Sequence, residues 1–246
     1  MIQGSLKALG LVLLAFLLVS PVFGQAADRP ENFESIMLDD FDDPETSQWM
    51  VIGSKFINED DYPLEYQLVE AWPEAVFRRP PEGEELRSLG IRAAFNRQGY
   101  NYLEIVPVEE GDDGEMVPRA LPLPGRVQNL DMWVWGSNRS YYIEVILRDH
   151  RGITHTLHFG EIGFRGWHNI KMDIPSYIPQ EVTYVPQRQG LELVKLVLWT
   201  RPDERVDQFY VYLDNLKCFT DTFDDPFDGE LLADPEYVDQ LWGGSE

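Results

Sequence analysis

Four histidines, His150, His155, His158 and His168, crowd one short stretch of a 246-residue chain. Imidazoles at such spacing are a common way to hold a transition metal. Their setting opposes that use. His155 and His158 are three apart in a segment that alternates like a strand, so they point to opposite faces, and His150 falls in the turn Asp149–Gly152. The 43 Asp and Glu residues offer the carboxylate pair of a glycosidase, but among so many acids some pair meets any spacing. Cys218, the single cysteine, sits in the strand-like run YLDNLKCF and reads as a small buried hydrophobe. Alone it can form no intramolecular disulfide, which leaves an intermolecular one as the alternative. The sequence holds no G-x-S-x-G elbow, phosphate loop or dinucleotide fingerprint. Enzymatic activity is not expected, and no catalytic residue, metal ligand or cofactor is assigned.

Calcium is the one ion the pattern leaves open. Asp40, Asp42 and Asp43 stand near one end of the chain, and Asp214 with Asn215 near the other. Such oxygen ligands can tie a first strand to a last one through Ca2+. The alternative is that they cap turns and stay hydrated.

The residues with more to say are aromatic. In NLDMWVWGSNRSYYIEVILRDHRG, Asn129 to Gly152, Trp133 and Trp135 share one strand face, and Met132 and Val134 share the other. Both faces are apolar, so either the strand is central and covered outside, or one aromatic row is an open platform for sugars or a partner protein. Strands carrying WVWG and YYIEV can pair through the SNRS turn, which brings Trp133 or Trp135 onto one face with Tyr142. Arg139, Glu144 and Arg148 are then the polar neighbours that fix orientation. Trp133, Trp135, Arg139, Tyr142, Glu144 and Arg148 are therefore the candidate binding residues, with one tryptophan expected in the core and the other on the platform.

Positioning them falls to a series of short alternating runs. SIMLDDF, QWMVIGS, EYQLVEAW, LGIRAAFN, NYLEIVPV, NLDMWVWGS, YYIEVILRD, THTLHFG, WHNIKMDIP, LVKLVLWT and FYVYLDNLKCF are separated by Gly, Pro, Asn and Asp clusters. With no long amphipathic helix between them, they predict an all-β antiparallel sandwich. Within YYIEVILRD, Tyr141, Ile143, Val145 and Leu147 form the core face, and Tyr142, Glu144, Ile146 and Arg148 the other. Arg78–Ser88 and Glu109–Arg126, rich in Pro, Gly and charge, read as surface loops. Thr220–Glu246 has acids but no Lys or Arg, and is either a solvated tail or a docking arm. Within it, Asp234 can cap a short helix that starts at Pro235 and stops before Gly243.

A net charge of -23 disfavours nucleic-acid phosphates and anionic membranes as partners. The first residues place Lys7 before an apolar run from Ala8 to Val19, then Pro21 and small residues. That is the pattern of a secretory signal peptide, and the run is short of the roughly 20 residues a spanning helix needs. The expected organisation is a signal peptide over 1–24, a lead-in over 25–35, the sandwich over 36–219 and the acidic arm over 220–246. No membrane span is expected after cleavage.

NLDMWVWGSNRSYYIEVILRDHRGITH, FRGWHNIKMDIPSYIPQ, LVLWTRPDERVDQFYVYLDNLKCFTDTFD and FDGELLADPEYVDQLW, in this order, resemble the spirochaete flagellar filament outer-layer (sheath) protein A family. The resemblance spans roughly Ile36 to Trp242 and is strongest from Asn129 onward. It implies a non-enzymatic subunit exported to the periplasm, where it coats the flagellin core of the periplasmic flagellum beside other sheath proteins. It also implies a jelly-roll similar to carbohydrate-binding (galactose-binding-like) modules. The alternative function is a secreted module that grips envelope or flagellin glycans.

Overall fold

The computed structural model describes residues 30–76, 78, 82–83, 85–180, 182–183, 188–223 and 228–243. The predicted signal peptide, residues 1–24, lies outside them. Along the chain run β1 (Phe33–Asp39), β2 (Trp49–Gly53), β3 (Glu65–Val69), β4 (Ser88–Ala93), β5 (Tyr102–Glu110), β6 (Met116–Pro118), β7 (Leu121–Pro122) and β8 (Arg126–Ser137). Then come β9 (Tyr142–Arg148), β10 (Thr154–Glu161), β11 (Arg165–Asp173), β12 (Val182–Thr183), β13 (Arg188–Gln189), β14 (Glu192–Trp199) and β15 (Phe209–Asp221). A 3-10 turn (Glu230–Ala233) and a helix α1 (Pro235–Gly243) follow.

Two antiparallel sheets face each other. Sheet A has the order β11-β8-β15-β4-β3, with β1 paired to the far half of β15. Sheet B has the order β10-β9-β14-β5-β2, with β6 on β5 and β7 on β14. The chain steps from one sheet to the other between β1 and β2, β2 and β3, β4 and β5, β7 and β8, β8 and β9, β10 and β11, β11 and β14, and β14 and β15. This is an all-β jelly-roll sandwich.

Alternation decides what lies between the sheets. From sheet A, β8 sends Leu130, Met132 and Val134 inward, each with no exposed surface, and β15 adds Val211 and Leu213. From sheet B, β9 sends in Ile143, Val145 and Leu147, met by Leu196 and Leu198 of β14 and Leu103 and Ile105 of β5. Each such side chain contributes about 1.5–3 kcal/mol of hydrophobic stabilisation, so an Asp at Val145 would break the core. Cys218 is buried among them, and burial pushes its thiol up to about 11, so it packs as a hydrophobe.

Three segments differ from the sequence-based expectation. The sheet already includes Phe33, Glu34 and Ser35 from the lead-in, because Phe33 stacks on Phe219 with 5.4 Å between rings and the Asn32 amide donates to Asp221 at 2.8 Å. At the other end β15 runs on through Thr220 and Asp221. The stretch Glu109–Arg126 is not all loop. A turn with Gly114 at φ 79 folds β6 back on β5, and the prolines Pro118 and Pro122 end short peripheral strands where no amide hydrogen is required. In the arm, Asp234 caps α1 by accepting from the amides of Glu236 (2.9 Å) and Tyr237 (3.4 Å).

Candidate functional site: an aromatic sheet face

The SNRS segment does not close a hairpin. It carries the chain from β8 in sheet A to β9 in sheet B, so Trp133 and Trp135 lie on one outer face of the sandwich, and Tyr142, Glu144 and Arg148 on the opposite one. The expected single constellation is not assembled. Its divide has a local cause. Asn138 takes a left-handed φ of 60, and Arg139 points to the β14–β15 loop, donating to the Arg205 carbonyl (3.0 Å), the Gln208 carbonyl (3.1 Å) and Asp207 (3.4 Å). The Ser140 amide donates to Glu204 at 2.9 Å in the same loop. Arg139 is thus a clamp that fixes the crossover rather than a guide for a ligand.

The outer face of sheet B closes on itself. Trp199 gives its indole N–H to Glu144 at 2.8 Å and packs against Tyr102, with 5.2 Å between rings. Arg148 pairs with Glu192 at 2.7 Å and Lys195 with Glu104 at 2.6 Å. Tyr142 has His158 against its ring at 5.7 Å and the Arg201 guanidinium over it at 5.0 Å, while Arg201 also holds Glu161. Tyr142, Glu144 and Arg148 are therefore all engaged within the chain.

The outer face of sheet A is built differently. Strand register lines up Trp167, Trp135, Tyr212, Gly90 and Gln67 as one row across β11, β8, β15, β4 and β3. A second row runs Asn169, Trp133, Asp214. Both tryptophans of β8 point outward and are half-buried, so neither is a core residue. Tyr212 meets Trp135 edge-on at 5.5 Å and Trp167 at 6.4 Å. Gly90 leaves room for the Tyr212 ring, since a Cβ there would stand 3.1 Å from Cε1. Among the described residues the indole N–H groups of Trp133, Trp135 and Trp167 and the Tyr212 hydroxyl have no hydrogen-bond partner. Beside Tyr212 a cleft of about 570 Å³ opens over β4.

One carboxylate underlies this face. Asp214 is buried where β15 bulges, with Asn215 at a left-handed φ of 49. Burial pushes its pKa up to about 8 against the hydrogen bonds from Ser88 (3.2 Å) and Asn215 (2.7 Å), and the charge of Asp42 adds to the rise. The other acids considered for calcium cap turns: Asp40 accepts from the Asp42 amide and Asp43 from the Glu45 amide, while Asp42 accepts from the Arg87 amide at 2.6 Å. Among the described residues no three His, Cys, Asp or Glu side chains converge as a metal site. His155 pairs with buried Asp149 at 3.0 Å, His158 lies 3.6 Å from Glu161 on the outer side, and His168 stacks on Phe164.

Trp167, Tyr210 and Tyr212 were not singled out by sequence reasoning. Tyr210 and Tyr212 alternate within FYVYLDN, a signal for one face, but their neighbours come from strands remote in the chain.

An antiparallel sandwich with one uncommitted aromatic face is the class these features define. The chain belongs to the flagellar filament outer layer protein FlaA family, whose sequence model matches residues 32–225. A putative flagellar filament outer layer-like protein of Brachyspira hyodysenteriae (strain ATCC 49526 / WA1) is 27% identical over 147 residues, covering 57% of this chain and 63% of that protein. The chain thus spans less than two thirds of this relative's length. Among solved structures, TmCBM61 in complex with beta-1,4-galactotriose aligns at 16% identity and TM-score 0.37, over 72% of this chain and 90% of the module. The family 11 carbohydrate-binding module of Clostridium thermocellum Lic26A-Cel5E aligns at 10% identity and TM-score 0.40, over 79% and 98%.

Proposed function

We propose that the chain is a non-enzymatic subunit of the outer layer of the periplasmic flagellar filament, exported by its signal peptide and seated on the flagellin core through the outer face of sheet A. Membership of the outer-layer family over residues 32–225 carries the proposal. The aromatic face supports it, because Trp133, Trp135, Trp167 and Tyr212 give a coat subunit what interface hot spots use: large rings on a rigid sheet, with donors that have no partner among the described residues. Other sheath proteins are the expected lateral neighbours.

The test is cosedimentation of the mature protein with purified filaments, together with electron microscopy of a deletion strain. Filaments should bind the protein, and the deletion strain should keep a core of altered stiffness or curvature. Absence of all filaments in that strain would contradict a coat, because a coat is dispensable for polymerisation of the core.

A further inference from the structure

The cleft beside Tyr212 has a chemistry of its own. Its floor is Gly90, the one position in the row without a side chain. One wall is Tyr210 and Tyr212, with Tyr210 42% exposed. The other is Glu65 and Gln67 on β3, and Arg92 stands across from Tyr210. Added to Trp135 and Trp167, the row crosses four inter-strand spacings, roughly 19 Å. The site is therefore a trough beside Tyr212 with planar polar groups along it, at one end of the aromatic row that continues through Trp135 and Trp167.

We infer that this trough binds a neutral glycan chain. A ligand here must show an apolar face to rings and hydroxyls to groups that both donate and accept. The Gln67 carboxamide offers a carbonyl and an NH2 with no partner among the described residues, and the Tyr212 hydroxyl and the indoles add donors. Sugar rings meet all of these demands at once, with C–H faces for stacking and hydroxyls for the edge.

A proline-rich peptide, the other ligand that aromatic grooves take, presents carbonyls but no N–H at its prolines, so there it meets only the donating half of the Gln67 carboxamide. An acidic sugar is disfavoured as well. The one cation among the described residues lining the cleft, Arg92, is engaged by Glu65 and stacked over Tyr62 at 5.7 Å, and the chain carries a net charge of -23. The ligand class is thus neutral.

The inference deepens the outer-layer proposal by naming what the same face grips, such as glycan on the surface the coat covers. Mature protein is run on native affinity gels containing xylan, galactan, mannan or mixed-linkage glucan, with polygalacturonate as the acidic control. At least one neutral polysaccharide should retard it and polygalacturonate should not. Tyr212→Ala and Gln67→Ala should each weaken retardation by roughly tenfold or more. Gln67 is exposed and its side chain has no hydrogen-bond partner among the described residues, so its variant keeps the test valid if Tyr212→Ala misfolds. Tyr142→Ala, on the opposite sheet, should migrate like wild type.

No retardation in any neutral gel overturns the inference, as does retardation indifferent to Gln67→Ala or relieved by poly-L-proline. Filament cosedimentation of the wild-type protein is measured alongside. Filament binding without polysaccharide binding ends the glycan inference and leaves the coat proposal standing; loss of both ends both.

Discussion

Trp199 on sheet B and Trp135 on sheet A are both half-buried indoles on outer sheet faces, each beside a tyrosine. Trp199 spends its N–H on Glu144, inside a surface where Arg148, Lys195 and Arg201 also have carboxylate partners. Trp135 packs on Tyr212, and among the described residues its N–H, like those of Trp133 and Trp167, has no hydrogen-bond partner. The difference separates aromatic residues that hold a sheet together from aromatic residues available to something else. Residue type does not distinguish the two. Partners do, and partners are set by register between strands far apart in the chain.

The comparison can be broken most directly on the closed side. Trp199→Ala removes the ring contact with Tyr102 and strands the Glu144 carboxylate, and should cost about 2–3 kcal/mol of stability. Denaturant unfolding measures it, and filament cosedimentation of the folded fraction should not change. Trp135→Ala should show the reverse pattern: about 2 kcal/mol lost from filament binding, roughly thirtyfold, with a smaller loss in thermal melting. If Trp135→Ala unfolds the chain and the folded remnant binds normally, the aromatic face of sheet A is structural after all.

A third prediction uses the carboxylate beneath the open face. Asp214 folds with its pKa raised from 3.8 to about 8, so between those values the native chain holds a proton that the unfolded chain has released. Its contribution to stability is fully present below 3.8 and is lost as pH rises through about 8. Asp214→Asn should flatten the dependence of unfolding free energy on pH across that window. A variant with the wild-type slope would show that Asp214 is ionised in the folded protein. The smallest effect is expected at Arg148→Ala, which removes a partly exposed ion pair with Glu192. It should cost less than about 1 kcal/mol and leave filament binding unchanged.

Much of the fold is legible in the chain because alternation is local. The residues of YYIEVILRD sort into core and surface as their order dictates, and the cap at Asp234 follows from its own neighbours. The site is less legible because SNRS is short enough either to turn back within one sheet or to step across to the other. What decides is Arg139 reaching the carbonyls of Arg205 and Gln208, a contact that no spacing rule reveals. Trp133 and Trp135 were visible as a pair. Trp167 and Tyr212, which complete their row, become visible only when β11 and β15 take their places on either side of β8.

Hydroxyl-radical footprinting of free protein against protein assembled on filaments tests the central claim without altering any residue. Trp133, Trp135, Trp167 and Tyr212 should lose reactivity on assembly, while Tyr102, Tyr142 and Trp199 keep theirs. Protection of the sheet B residues with Trp133 and Trp135 still reactive would contradict the assignment of the contact face.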